Sequence, residues 1–406
     1  MKVISTTSQE WQRLCARRLV RRRRLEDRVR TILDDVHHSG DEALLRYTRR
    51  FDRVKLTPRQ LRVTEADISA AFQHLDPRFA LQLKSAIQNV QAFYARPRHK
   101  PIRILDGDGV VLGEKFDPIE RVGIYIPGGT ASLVSTVYMT VIPAKKAGVK
   151  RIILATPPRK DGSVDPHILA VASLLDVEEV YRMGGAQAIA AMAFGTKTVP
   201  KVDKIVGPGN AFVAEAKRQV FGFVGVDTIA GPSEIAVIAN RDSNAQFVLA
   251  DLMAETEHAG GIGFLITTSK ALAKLARKQI SSGYCVVVKN LTEAAEVANR
   301  LAPEHLEIMV RSPQKLAKRI TRAGAIFLGQ YSPVTVGDYV AGPSHVLPTG
   351  GAAAMFSGLG TEDFIRRTHV ITYTKKALGR MREPLERLTA IEGLPRHYEA
   401  IKIRLT

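Results

Sequence analysis

The chain has 406 residues, 45% of them hydrophobic, and 59 Lys and Arg against 40 Asp and Glu give it a formal net charge of +19. That length is too great for one hydrophobic core but suits two or three compact domains, and this apolar content excludes a disordered chain. The longest apolar runs, such as Ile152 to Ala155 and Cys285 to Val288, fall far below the ~20 residues that cross a bilayer, and no apolar signal core precedes the N-terminal arginines, so a chain without a membrane partner, working in the cytoplasm, is expected.

The first 100 residues are rich in charge and in helical patterns. Nine arginines fall between Arg13 and Arg30, but Leu25, Val29, Ile32 and Val36 follow helical spacing, which makes the segment an amphipathic helix with a basic outer face. Known nucleic-acid modules pair such charge with an RNP aromatic pair, a zinc finger or a heptad array. None accompanies it, so no nucleic-acid partner is expected. Two cysteines, Cys15 and Cys285, lack any C-x-x-C spacing and suggest neither a disulfide framework nor a thiolate metal cage.

From about Val122 short β-rich runs alternate with helical patterns, beginning with Ile152 to Ala155 and ending with Leu306 to Val310 and Ala325 to Leu328. The alternation predicts parallel sheets with helices on both faces. Glycine-rich turns follow four of the apolar runs: Ile126 to Gly129, Gly184 to Gln187, Gly207 to Asn210 and Gly231 to Glu234. Small residues at such places let backbone N–H groups approach a phosphate, and the following helix offers its positive end. The G-x-G-x-x-G fingerprint is absent, since Phe212 stands where its last small residue belongs.

Asn244 to Glu257 is predicted as a largely buried helix, with Phe247, Val248, Leu252 and Met253 apolar. Asp251, Glu255 and His258 then fall within a stripe of about 60° on it. Burying that stripe without partners is costly, so it needs hydrogen bonds or a cation. Glu255 and His258 can hold a divalent metal but cannot close a tetrahedral site alone, and Asp338 and His397 are candidates to complete a set suited to zinc or manganese. Farther on, Pro303-Glu304-His305-Leu306 sets a carboxylate and an imidazole in the turn entering a strand. His305 is the natural base for an alcohol proton, and Glu304 is suited to take one from water. From about Lys376 a helical tail runs to the end, broken at Gly393 and reopened at Pro395.

Gly123 to Gly129, Gly184 to Ala191, Pro200 to Val213, Ala230 to Glu234, Ala302 to Leu306, Gly337 to Thr349 and Glu392 to His397 resemble histidinol dehydrogenase, in order, from about residue 20 to the C-terminus. The resemblance implies oxidation of L-histidinol to L-histidinal and then to L-histidine, with two NAD consumed and Zn2+ holding the substrate for hydride transfer. It implies Glu255, His258, Asp338 and His397 as metal ligands and Glu304 and His305 as the catalytic pair. Tyr125, Gln187 and Asn210 are implied as NAD contacts, and Ser233, Glu392 and again His305, beside the metal ligands, as substrate contacts. It also implies a homodimer in which the tail is exchanged between subunits.

The expected architecture is therefore α/β, with two doubly wound, incomplete Rossmann-like domains, a helical N-terminal segment and a helical C-terminal tail. The domains are expected as an extension over 1–20, a larger α/β domain over 21–121 with 232–365 carrying the metal and catalytic residues, an NAD-contacting domain over 122–231, and the tail over 366–406. Three features depart from the family pattern: Glu255 stands where a glutamine is expected, the stretch between His258 and Ala302 is shorter by about one helix, and the charge is unusually basic. The added carboxylate should tighten the metal and weaken it as a Lewis acid. These departures leave a paralogous dehydrogenase of another polar alcohol as the alternative.

Overall fold

The computed structural model describes every residue except 17–22, 74, 96–100, 106, 129–131, 230 and 258–259. His258, Gly129, Ala230 and four of the N-terminal arginines thus lie outside the described residues. In chain order the strands are β1 (Lys2–Ile4), β2 (Ile102–Leu105), β3 (Val111–Pro118), β4 (Arg121–Tyr125), β5 (Arg151–Thr156), β6 (Glu179–Arg182), β7 (Lys204–Val206), β8 (Gly225–Val226), β9 (Glu234–Ala239), β10 (Ile262–Thr267), β11 (Tyr284–Val287), β12 (His305–Met309), β13 (Ala325–Leu328) and β14 (Ile365–Thr372). The chain divides into two compact units, one of residues 1–95 and 120–364, the other of residues 96–119 and 365–406.

The first unit holds two parallel sheets, ordered β6-β5-β4-β7-β8 and β1-β11-β10-β9-β12-β13. Counted from β4 in the smaller sheet and from β9 in the larger, each runs 3-2-1-4-5, the doubly wound order with its switch point between strands one and four, and β1 adds a sixth strand at the edge of the larger sheet beside β11. This is the α/β architecture that alternating strands and helices predict. The repetition is one of topology and left no repeat in the sequence. Lys2 to Ile4, read from the sequence as part of an extension, form the edge strand of the larger sheet, with Lys2 beside Tyr284.

Both faces of the larger sheet are covered, which is why its strands read as continuous apolar runs. Ala236 and Ile238 pack in one core cluster with Leu306 and Ile308, while Ile235, Val237 and Ala239 face the other with Val248, Leu249 and Leu252. The helix Arg23–Phe51 buries Val29, Ile32, Leu33 and Val36 against the five-stranded half, and its arginines Arg23, Arg24, Arg28 and Arg30 stay exposed. It bends at Gly40, the one residue in it with non-helical dihedrals.

The second unit is a three-stranded antiparallel sheet, β14-β3-β2, with the helices Lys375–Arg380, Arg382–Ile391 and Pro395–Leu405. The tail breaks at Gly393 and restarts at Pro395, as its sequence predicts. The sheet itself has no counterpart in the sequence reading. It pairs β3, assigned to the larger domain, with β14 at the start of the tail.

Candidate active site

The amino ends of β9 and β12 lie side by side, with His305 opposite Ile235. Helix Leu291–Leu301 ends in Ala302, whose φ of 46° is a strained left-handed conformation for alanine. Pro303 follows, and the chain turns so that Glu304 and His305 lie buried at the amino end of β12, between β9 and β13. Gly324 allows the neighbouring strand to approach, since a Cβ there would stand 2.6 Å from the Glu304 carbonyl oxygen.

A reciprocal clamp fixes the carboxylate. Glu234 N–H donates to Glu304 Oε2 at 3.0 Å, and Glu304 N–H donates to Glu234 Oε1 at 3.2 Å. The Ser233 hydroxyl lies between two acids, bonded to Glu304 Oε2 at 3.0 Å and to Glu255 Oε1. His305 Nδ1 meets the Glu234 carbonyl at 3.2 Å and Glu255 Oε2 at 3.4 Å, while Nε2 faces Asp338 Oδ1 at 3.7 Å. Nε2 is buried and has no hydrogen-bond partner among the described residues.

The electrostatics follow from crowding acids into a dry corner. Burial raises the Glu304 carboxyl to about 7, with the charge of His305 opposing. Burial disfavours the charged form of His305, but the Glu255 hydrogen bond and the charges of Glu304, Glu255 and Asp338 outweigh it and hold the imidazole at about 9. Such a cluster suits a cation. Glu255, Glu304 and His305 each offer a ligand atom within 4.8 Å of the others, a buried group of carboxylate and imidazole donors whose chemistry suits a divalent metal.

The predicted stripe on helix Ala245–Glu255 divides. Glu255, at the helix end, joins the cluster, whereas Asp251 lies beside Glu307 and His258 is outside the described residues. The helix is also less buried than its sequence suggests, with Phe247 37% and Met253 49% exposed. Glu392 and His397 lie exposed in the second unit, the first capping helix Arg382–Ile391 and the second in helix Pro395–Leu405. Sequence reasoning missed Glu234 and Glu307. Glu307 is wholly buried in mid-strand, and its Oε1 accepts the Val334 N–H at 2.9 Å at the start of helix Val334–Tyr339, which carries Asp338. A lone acid inside an apolar strand was the available signal.

The carboxyl ends of the five-stranded sheet line a cleft of about 1000 Å³ that contains Tyr125, Gln187 and Asn210 together. Asn210 Oδ1 caps helix Ala211–Val220 by accepting the N–H groups of Phe212 and Val213 at 3.0 and 3.2 Å. Tyr125 accepts the Gly185 N–H at 3.1 Å, and burial pushes its hydroxyl up to about 12. Gln187 is 1% exposed, and its Oε1 has no partner among the described residues. Gly207 lies so close to the Tyr125 carbonyl that a Cβ would be 2.2 Å from its oxygen, and its φ of 113° is open to glycine alone. Its peptide groups are gripped from both sides, by Asp227 Oδ2 on the N–H at 2.8 Å and Lys217 Nζ on the carbonyl at 3.0 Å, two residues that form a buried ion pair. Phosphate-sized room beside small residues at a switch point is the setting of a dinucleotide site.

The profile of the family described as histidinol dehydrogenase matches residues 15–405. The chain belongs to the histidinol dehydrogenase family. It is 45% identical to the histidinol dehydrogenase of Listeria monocytogenes serovar 1/2a, an alignment covering 94% of this chain and 93% of that one. It is 44% identical to that of Bacillus cereus strain ATCC 14579, with 93% and 91% covered. The crystal structure of histidinol dehydrogenase from Elizabethkingia anophelis superposes with a TM-score of 0.93 at 35% identity, covering 100% of this chain and 98% of that one. Members of this family are NAD-dependent oxidoreductases that use zinc and carry out the last step of histidine biosynthesis. No helix among the described residues is long and apolar enough to cross a membrane.

Proposed function

We propose that the chain oxidises L-histidinol to L-histidine in two NAD-dependent steps, the six-stranded half carrying the chemistry and the five-stranded half the dinucleotide. The observation that carries this reading is the buried His305 with its unpartnered Nε2 among Glu255, Glu304 and Asp338.

In this reading Glu255, His258, Asp338 and His397 hold the zinc, Tyr125, Gln187 and Asn210 hold NAD, and Ser233 and Glu392 contact the substrate. Zinc bound there supplies a grip on the amine and imidazole of histidinol and orients its alcohol. With a cation among the acids to offset the carboxylates that hold it charged, His305 would be neutral and take the alcohol proton at Nε2, since Nδ1 is turned to the Glu234 carbonyl and Glu255. Glu304, held by Ser233 and the Glu234 N–H, takes a proton from the water that adds to the aldehyde. The second alcohol so formed loses its proton to His305 as the first did.

The same reading includes a homodimer working in the cytoplasm, each site completed by the partner's tail. It is supported by the apolar surface of the second unit: Ile102, Ile104, Leu105, Ile371, Ile391 and Ile403 are all more than half exposed. Turnover counting tests the function. Zinc-loaded enzyme forms two NADH per histidinol and releases histidine; one NADH with free aldehyde overturns the reading.

A further inference from the structure

Asp52 ends the helix Arg23–Phe51 with its N–H on the Thr48 carbonyl at 2.9 Å, and its side chain lines the cleft that holds Tyr125, Gln187 and Asn210. Its Oδ2 is buried and has no hydrogen-bond partner among the described residues. A carboxylate oxygen stripped of water and given no donor is an expensive arrangement unless a ligand completes it. Burial raises this carboxyl to about 6, and its charge is felt at the Tyr125 hydroxyl.

The cleft also contains Arg28, Arg159 and Lys160. Arg28 stacks over Phe212 with 5.1 Å from its guanidinium carbon to the ring centroid, and burial is the one cause behind the raised Asp52 value, with no cation offsetting it. The cations therefore leave Asp52 unneutralised. They provide for phosphate, which only accepts hydrogen bonds, while Asp52 provides for a group that donates them. A dinucleotide has both kinds of group: the pyrophosphate accepts, and the ribose hydroxyls and the adenine amine donate.

Resting on the assignment of this cleft to NAD, we infer that Asp52 is a specificity residue that accepts a hydrogen bond from a hydroxyl or amino group of the dinucleotide and, where that group is the ribose 2′-hydroxyl, turns away the form phosphorylated there. A phosphate brought to a buried carboxylate would have neither a donor to offer nor a cation to meet.

The test is a fluorescence titration of zinc-loaded enzyme with NADH and NADPH, together with NAD and NADP kinetics, in wild type, Asp52→Asn and Asp52→Ser. Loss of one hydrogen bond to a charged group predicts NADH binding weakened about tenfold or more in both variants. If the ribose 2′-hydroxyl is the donor, the preference for NAD over NADP falls by a similar factor; with either donor the KM for histidinol is unchanged and the melting temperature is not lowered. Analogues locate the donor. If the ribose hydroxyl is read, 2′-deoxy-NAD loses affinity for wild type and not for the variants; if the amine, the hypoxanthine dinucleotide behaves so. Unchanged NADH affinity and unchanged preference in both variants overturn the inference, as does a general loss of stability or of histidinol affinity. Gln187→Ala separates the two levels: if it weakens NADH while the Asp52 variants do not, only the role of Asp52 falls, and if it leaves NADH binding intact, the assignment of the cleft falls first.

Discussion

His305 is held between opposing forces, because burial alone would keep its imidazole neutral while three carboxylates favour its charged form. Its neighbour Glu304 is distinguished from an ordinary surface acid by the Ser233 and Glu234 donors, which fix one oxygen and orient the group. If the two divide the proton work as proposed, His305→Ala lowers kcat for both half-reactions by about a hundred- to ten-thousand-fold with NADH binding intact. Glu304→Gln then slows oxidation of added histidinal more than oxidation of histidinol; equal losses in stopped-flow NADH traces would contradict the division. Glu307 serves differently. Burial first, and the Asp251 carboxylate second, raise it well above the carboxylate range. The folded state thus keeps a proton that the unfolded state gives up, so the stability this group contributes is present at low pH and lost as pH climbs. Glu307→Gln keeps an acceptor for the Val334 N–H but does not titrate. Its melting temperature relative to wild type should rise from about pH 5 upward, and a difference independent of pH refutes the assignment.

Among the elements, the loop from Gly207 to Asn210 has the least freedom. It is pressed on the Tyr125 carbonyl, clamped by Lys217 and Asp227, and ends in the Asn210 cap. Gly207→Ala combines a disallowed φ with a collision against backbone and should cost about 2 kcal/mol or more. Because the loop carries Asn210 into the cleft proposed for the dinucleotide and belongs to a different sheet from His305, NADH affinity is expected to fall with zinc content retained, measured by titration and metal analysis. Loss of zinc with NADH binding intact would place the loop elsewhere in the function. The two sheets also differ in which end they use: the cleft opens at the carboxyl ends of β4, β5 and β7, whereas Ser233, Glu304 and His305 gather at the amino ends of β9 and β12.

For the whole molecule, the decisive question is whether one chain makes a complete site. Glu392 and His397 belong to a compact unit separate from the one holding His305, and helices Arg382–Ile391 and Pro395–Leu405 have no buried residue. Exchange of the tail in a dimer predicts complementation. His305→Ala and His397→Ala, each inactive alone, regain activity after being unfolded together and refolded as a mixture, since one site of each hybrid dimer carries neither substitution. A mixture as inactive as its components, although hybrids form, overturns the exchange.

Local pattern made much of this protein legible from its residues. Apolar runs with turn glycines fixed the parallel strands because both faces of those strands are buried, and helical spacing at Val29, Ile32 and Val36 marked the face that packs. Adjacency made Glu304 and His305 visible as a pair, and the family resemblance named the rest of the site. What depends on distant residues meeting was decided only by the tertiary structure. The sheet of β2, β3 and β14 joins segments some 250 residues apart, with Arg366 beside Asp117, and Ile102 and Ile104 on it are exposed, so no burial periodicity announced it. Glu234 behind Glu304, Glu307 beside Asp251 and Asp52 in the cleft are ordinary acids in the sequence. Their environments arise when strands and helices pack, because desolvation and hydrogen-bond supply belong to the fold and not to neighbours along the chain.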